Sequence, residues 1–235
     1  MAPTSLAALL NLTSSPVAIT FVSAPPAGIP HVSGLEPAGC GYWRRAAAGE
    51  LFYTVADDHK GCPVGAHTHA VPLTQKDLEG LNELVATMVG LGYLEMEEAE
   101  GLPSRRLPFE VAVYSPLDRA PLPPDLVLVR GNARQLMLLS EAAAAAGVAP
   151  AGPARLRPTC SLVPDVLNNA CTSMSFGCVG NRVYTGAGDG EAYFGIPGRN
   201  LSEVESKLAV VLRANEELER YHRSRLGGAQ AASAG

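Results

Sequence analysis

The stretch Pro16-Val17-Ala18-Ile19-Thr20-Phe21-Val22 decides how the rest of the chain is read. Val17, Ile19 and Phe21 recur at period two, the repeat of a strand with one buried face. A second apolar run, Leu126-Val127-Leu128-Val129, shows no alternation, the pattern of a strand covered on both faces. Leu51 to Val55 and Glu110 to Tyr114 read as further strands. Between them the period changes. Residues 41–48 form a short helix closed by Gly49, and Thr74 caps a longer helix to about Met88, with Leu78, Leu81 and Val85 on one face. Asn132 opens an alanine-rich helix to about Ala146, and residues 150–158 form a stiff connector. Residues 160–197 hold short strands and turns. Asn200 and Glu203 open a last helix to about Arg225, whose buried stripe is Val204, Leu208, Val211, Leu212, Leu218 and Tyr221. Strands and helices alternate irregularly, so the fold class is α+β: a single compact domain over 1–226, with a disordered tail at 227–235.

The 235 residues, 47% of them hydrophobic, suffice for one sizeable core. No apolar run reaches the roughly 18–20 residues that span a bilayer. Eighteen basic residues against 23 acidic ones leave a net charge of −5, and the basic residues occur only in pairs such as Arg44-Arg45. That excludes the massed basic surface of a nucleic-acid binder. Residues 1–16 lack a basic region ahead of an apolar stretch, so no signal peptide is expected. With five cysteines, an odd number in a chain too large to need disulfide staples, reduced thiols in a cytoplasm are the expectation.

The cysteines sit in two comparable settings. Each half of the chain, about 16–92 and 110–198, has a strand, a cysteine, a short helical stretch and then a Gly-Cys pair, which suggests a pseudo-duplication. The pairs are Cys40 with Cys62 and Cys160 with Cys178, separated by 22 and 18 residues. Four thiolates are the ligand set of a [4Fe-4S] cluster, and glycines beside Cys62 and Cys178 let backbone amides approach an anion. Soft thiolates equally suit zinc. No C-x-x-C spacing is present, and buried cysteines commonly act as small hydrophobes. Cys171, seven residues before Cys178, is a substitute for Cys160 in the ligand set.

Other residues offer chemistry beside the thiols. His67 and His69, in an extended segment, share one side and suit a metal or a proton relay; alternatively they line a loop. His59 beside Asp57 and Asp58 has the makings of an oriented general base, or of a solvated turn. Arg182, close after Cys178, places a permanent cation near a site for an anion, or makes a structural ion pair. Gly186-Ala-Gly188-Asp-Gly190 lacks phosphate-loop spacing and reads as a tight turn. Tyr42 and Trp43 read as core packing.

Two long signatures resemble a known family. Cys40-Gly-Tyr-Trp-Arg-Arg-Ala-Ala-Ala-Gly, Phe52-Tyr-Thr, Asp58-His, Cys62-Pro-Val-Gly and Thr68-His69 are similar to its first. Gly177-Cys-Val-Gly-Asn-Arg-Val-Tyr-Thr-Gly, Asp189, Glu191, Tyr193 and Ile196-Pro-Gly198 are similar to its second. The family is domain of unknown function 169, of bacteria and archaea, and the resemblance runs from about Pro16 to Arg225. It implies one domain and no settled activity, and it marks Cys40, Cys62 and Cys178 as more than incidental packing. Cys160 also resembles a cysteine of the family, whereas Cys171 does not.

The leading expectation is therefore a cytoplasmic protein holding an iron–sulfur cluster, with zinc as the competing metal, on Cys40, Cys62, Cys160 and Cys178. It would serve electron transfer with a redox partner, or activation of a small-molecule substrate, with His69 and Arg182 in the pocket wall. The alternatives are two. One is a metal-free thiol enzyme with Cys62 or Cys178 as nucleophile, His59 or His69 as base and Arg182 as anion binder. The other is a small-anion-binding module. The apolar content and helical C-terminus also permit a homodimer.

Overall fold

A computed structural model describes residues 5–32, 36–154 and 157–233. In chain order the elements are α1 (Leu6–Leu10), β1 (Val17–Val22), α2 (Cys40–Ala47), β2 (Phe52–Val55), α3 (Pro63–Thr68), α4 (Gln75–Gly90), α5 (Met96–Glu100) and β3 (Val111–Pro116). They continue with β4 (Leu126–Asn132), α6 (Ala133–Ala145), α7 (Leu162–Asn169), β5 (Ser173–Ser175), α8 (Val179–Thr185), β6 (Glu191–Pro197) and α9 (Leu201–Ser233). This is the expected α+β class. Part of the 24–39 loop (33–35) and of the 150–158 connector (155 and 156) lies outside the described residues.

All six strands form one antiparallel sheet in the order β2-β3-β1-β4-β6-β5. Its centre is a seam where Val17 faces Leu128 and Ile19 faces Leu126. From that seam β3 and then β2 lie outward of β1, and β6 and then β5 lie outward of β4, so β3 (Val111–Pro116) falls on the β1 side although it lies in the second of the two sequence halves. The two outer strands are only four and three residues long. A parallel bridge lies at each end of the sheet, His31 to Tyr53 within β2 and Pro150 to Thr172, the residue just before β5.

Alternation along the strands builds two cores. Val17, Ile19, Ala112, Tyr114, Leu126 and Leu128 face a cluster with Tyr42, Trp43, Leu162 and Val166, which carries α2 and α7 on that side. Val127, Val129, Phe194 and Ile196 face the opposite side, where α1, α6 and α9 pack through Leu6, Leu139, Val204 and Leu208. Both faces are covered, which is why Leu126 to Val129 is apolar without a break. α7 lies so close to β6 that a side chain at Gly195 would meet Val166 Cγ2 at 2.8 Å.

Three expectations about helices are corrected. Residues 160–197 contain α7 and α8 as well as strands and turns. The α9 stripe is buried only in its first half: Val204 and Leu208 are enclosed, but Leu218 and Tyr221 are each 55% exposed. The helix also continues to Ser233, into the stretch read as tail.

Candidate functional site

All four paired cysteines lie on the α2 and α7 side of the sheet, three of them at helix starts. Cys62 is the N-cap of α3, its Sγ accepting the Gly65 N–H at 3.3 Å, with Pro63 at the first helical position. Cys178 is the N-cap of α8, and its Sγ accepts the Asn181 N–H at 3.5 Å. Its own N–H donates to Thr159 Oγ1 at 2.6 Å. Gly177, with φ +88°, makes the turn into that cap, a conformation a side chain resists. Cys40 is the first residue of α2, and Cys160 lies in the 3₁₀ turn that leads into α7. Sulfur is a weak acceptor, so cysteine is missing from the usual capping residues, and both α3 and α8 escaped the sequence reading. Pro63 directly after Cys62 was the one signal that could have revealed α3.

These four cysteines line one cavity of about 860 Å³. Its other wall is the arm formed by α4, α5 and their linkers, which presents Leu84, Val85, Met88, Leu94, Ala99 and Leu102. Neither α4 nor α5 contains a buried residue. Leu78 and Leu84 remain 41% exposed on a helix whose sequence is amphipathic. The arm is pinned by Arg157, which donates to both Glu98 carboxylate oxygens at 3.1 and 2.9 Å and lies 4.8 Å over the Tyr93 ring. Its return is anchored by Ser104 Oγ donating to the His67 carbonyl and by Arg105 N–H donating to the Thr68 carbonyl.

Electrostatics keep the deeper thiols protonated. Burial pushes the Cys40 thiol up to about 12; the Asn181 side chain partly opposes this, and charge on Cys62 or Cys178 adds to it. Burial raises Cys160 as well, reinforced by Cys62, Cys178 and Cys40. Each of these two thiols therefore resists ionisation at neutral pH.

The metal-protein reading is overturned. Among the described residues no group of three or more His, Cys, Asp or Glu side chains is arranged to hold a metal ion. The four cysteines line the cavity from four different segments and form no metal-holding group, so the iron–sulfur function expected from Cys40, Cys62, Cys160 and Cys178 has no support. Cys171 does not line the cavity; it is buried, and its Sγ donates to the Asp165 carbonyl at 3.3 Å.

The histidines are also placed differently from expectation. His67 and His69 stand at the end of α3, not in an extended segment, and do not share a side. His67 Nε2 approaches the Leu102 carbonyl at 3.4 Å, whereas His69 Nδ1 donates to the Gly65 carbonyl at 2.8 Å. His59 is buried against Thr54 Oγ1 at 2.9 Å, and Asp58 spends its carboxylate on His31 and the Val55 N–H. Asp57 pairs with Lys60. Arg182 donates to the carbonyls of Gly188, Phe176 and Glu191, so it staples the turn between α8 and β6. Neither His59, His69 nor Arg182 lines the cavity. Among the described residues no helix is long and apolar enough to cross a membrane.

Comparison with known proteins gives a family and no characterised relative. The model of a family described as uncharacterised, DUF169 (ArCR), matches residues 5–207. No curated protein and no solved structure matches the chain.

Proposed function

The chain belongs to the DUF169 family, and on that premise we propose that it binds a small organic molecule with a mostly apolar body, held between the cysteine-bearing helices and the α4–α5 arm. One observation carries the reading: α4 is a sixteen-residue amphipathic helix with no buried residue, and its Leu84, Val85 and Met88 line the cavity. Apolar surface left in water costs about 25 cal/mol per Å². A ligand of matching character removes that cost and tightens the arm onto the body. The volume is that of a site for a small molecule, which is typically a few hundred to about 1,000 Å³. Neutral thiols at Cys40 and Cys160 extend the apolar lining instead of charging it.

The experiment combines native mass spectrometry of gently purified protein with thermal-shift titration against a panel of aromatic and aliphatic fragments. The expected result is a co-purifying organic mass, or a fragment that raises the melting temperature and is excluded by Val85→Trp, a variant that fills the cavity from its exposed wall. The reading fails if no fragment binds, or if elemental analysis of the purified protein finds stoichiometric metal.

A further inference from the structure

The α4–α5 arm is fixed at both ends and held at one point between them. Ahead of it, Val71 is buried and its N–H donates to the Ala66 carbonyl at 2.9 Å, so the chain leaves α3 from a firm footing. Behind it, the Ser104 hydroxyl donates to the His67 carbonyl at 2.7 Å, and the Ser104 carbonyl accepts the Asn168 side-chain N–H at 2.8 Å. Neither α4 nor α5 buries a residue. Among the described residues, the one ion pair that joins them to the body is that of Glu98 with Arg157. Both partners line the cavity, Glu98 from the arm and Arg157 from the body, so the pair spans its two walls. The Glu98 carboxylate is oriented for this by accepting the Glu95 N–H at 3.0 Å at the start of α5. The same Arg157 guanidinium covers the ring of Tyr93, just beyond the end of α4.

An ion pair this open to water, with side chains 28% and 45% exposed, is weak and parts readily. A segment clamped at both ends and held in the middle by one such contact opens when that contact breaks, and neither anchor has to move. Segments that close over binding sites commonly work in this way. We propose that the arm is a lid and the Arg157–Glu98 pair its latch, so that ligand enters and leaves the cavity when the pair parts. This rests on the ligand-binding reading above and adds how access to that site is controlled. A latch has a kinetic signature of its own. Opening precedes both entry and exit, so loss of the latch speeds both and leaves affinity nearly unchanged, whereas loss of a contact to the ligand speeds exit alone.

The test follows entry and release of 1-aminoanthracene, a neutral fluorescent probe, by stopped flow on the full chain. Arg157→Gln should raise both rates about fivefold, the scale of one exposed ion pair, with the dissociation constant nearly unchanged. Glu98→Gln keeps an oxygen for the Glu95 N–H but loses the charge, and gives the same comparison if the Arg157 variant does not fold. Added salt should speed release from the unaltered protein and leave Arg157→Gln unmoved, a response that a purely structural role for Arg157 would not produce. Unchanged rates in both variants overturn the latch and leave the cavity reading standing on the bound probe. Faster release alone, with affinity falling in step, also overturns it, since Arg157 would then be a contact to the ligand. Absence of binding by the probe, together with the whole fragment panel, overturns both readings.

Discussion

His59 and His69 lie 5.4 Å apart, ring to ring, between α3 and the sheet, with Phe109 at the edge of both. Burial holds His69 down to about 4 and His59 well below its ordinary value, with Arg105 nearby pushing both the same way. Both imidazoles are thus neutral in the folded protein, while in the unfolded chain they take up protons near pH 6.5. The sign follows: stability from this pair is complete above pH 6.5 and is lost as the pH falls from there towards 4. Each histidine contributes about 1.4 kcal/mol per pH unit across that window. Urea midpoints measured from pH 7 to 4 should show this decline, and His69→Gln should roughly halve its slope; an unchanged slope would refute the assignment. None of this was legible beforehand. Asp57 and Asp58 adjoin His59 in the chain, but the 3₁₀ turn sends their carboxylates outward to Lys60 and His31. The ring is left inside with Thr54.

At the scale of elements, the arm is weakly held, since neither of its helices buries a residue. Local opening free energies follow burial, so amides of α4 should exchange with deuterium well before those of β4, which is buried at Leu126 to Val129. The start of α4 depends on a reciprocal cap: Thr74 Oγ1 accepts the Asp77 N–H at 3.3 Å and Asp77 accepts the Thr74 N–H at 2.9 Å. Thr74→Ala removes about 1 kcal/mol of that local stability. Exchange in α4 should quicken about fivefold while β4 stays unchanged. Equal acceleration of both would show that the arm unfolds only with the body. This helix was fully legible, because Thr74 and Asp77 are ordinary capping residues and Leu81 and Val85 repeat at helical spacing. What the repeat pointed to was different: the face buries no residue in a core, and of Leu78, Leu81 and Val85 only Val85 lines the cavity. α3 and α8 were illegible for the opposite reason, their caps being sulfur. Cys40, Cys62, Cys160 and Cys178 stood out in the sequence as a set, and the fold lines one cavity with all four.

At the scale of the whole molecule, two apolar clusters on opposite faces of one sheet hold the chain together. α9 belongs to the second only through its first half. Leu208 is fully enclosed, so Leu208→Ala should cost about 2–5 kcal/mol. Leu218→Ala, at an exposed position of the same helix, should stay within about 0.5 kcal/mol. Chemical denaturation of the two variants separates them, and equal losses would mean that the far half of α9 is buried in solution. Periodicity alone carried the stripe through Leu218 and Tyr221, because a repeat in one helix says nothing of which of its turns another element covers.

The brevity of β2 and β5, with a bridge at Tyr53 of β2 and another at Thr172 just before β5, has a further meaning. A sheet rim offers bare amides and carbonyls to any passing strand, and long flat rims recruit copies of themselves into aggregates. Here the segments around His31 and Pro150 occupy those outer groups at Tyr53 and Thr172, so each margin is already spoken for by its own chain. Fibrous self-association would first have to peel off one of these straps, which ties the colloidal behaviour of the protein to two short loops far from the seam.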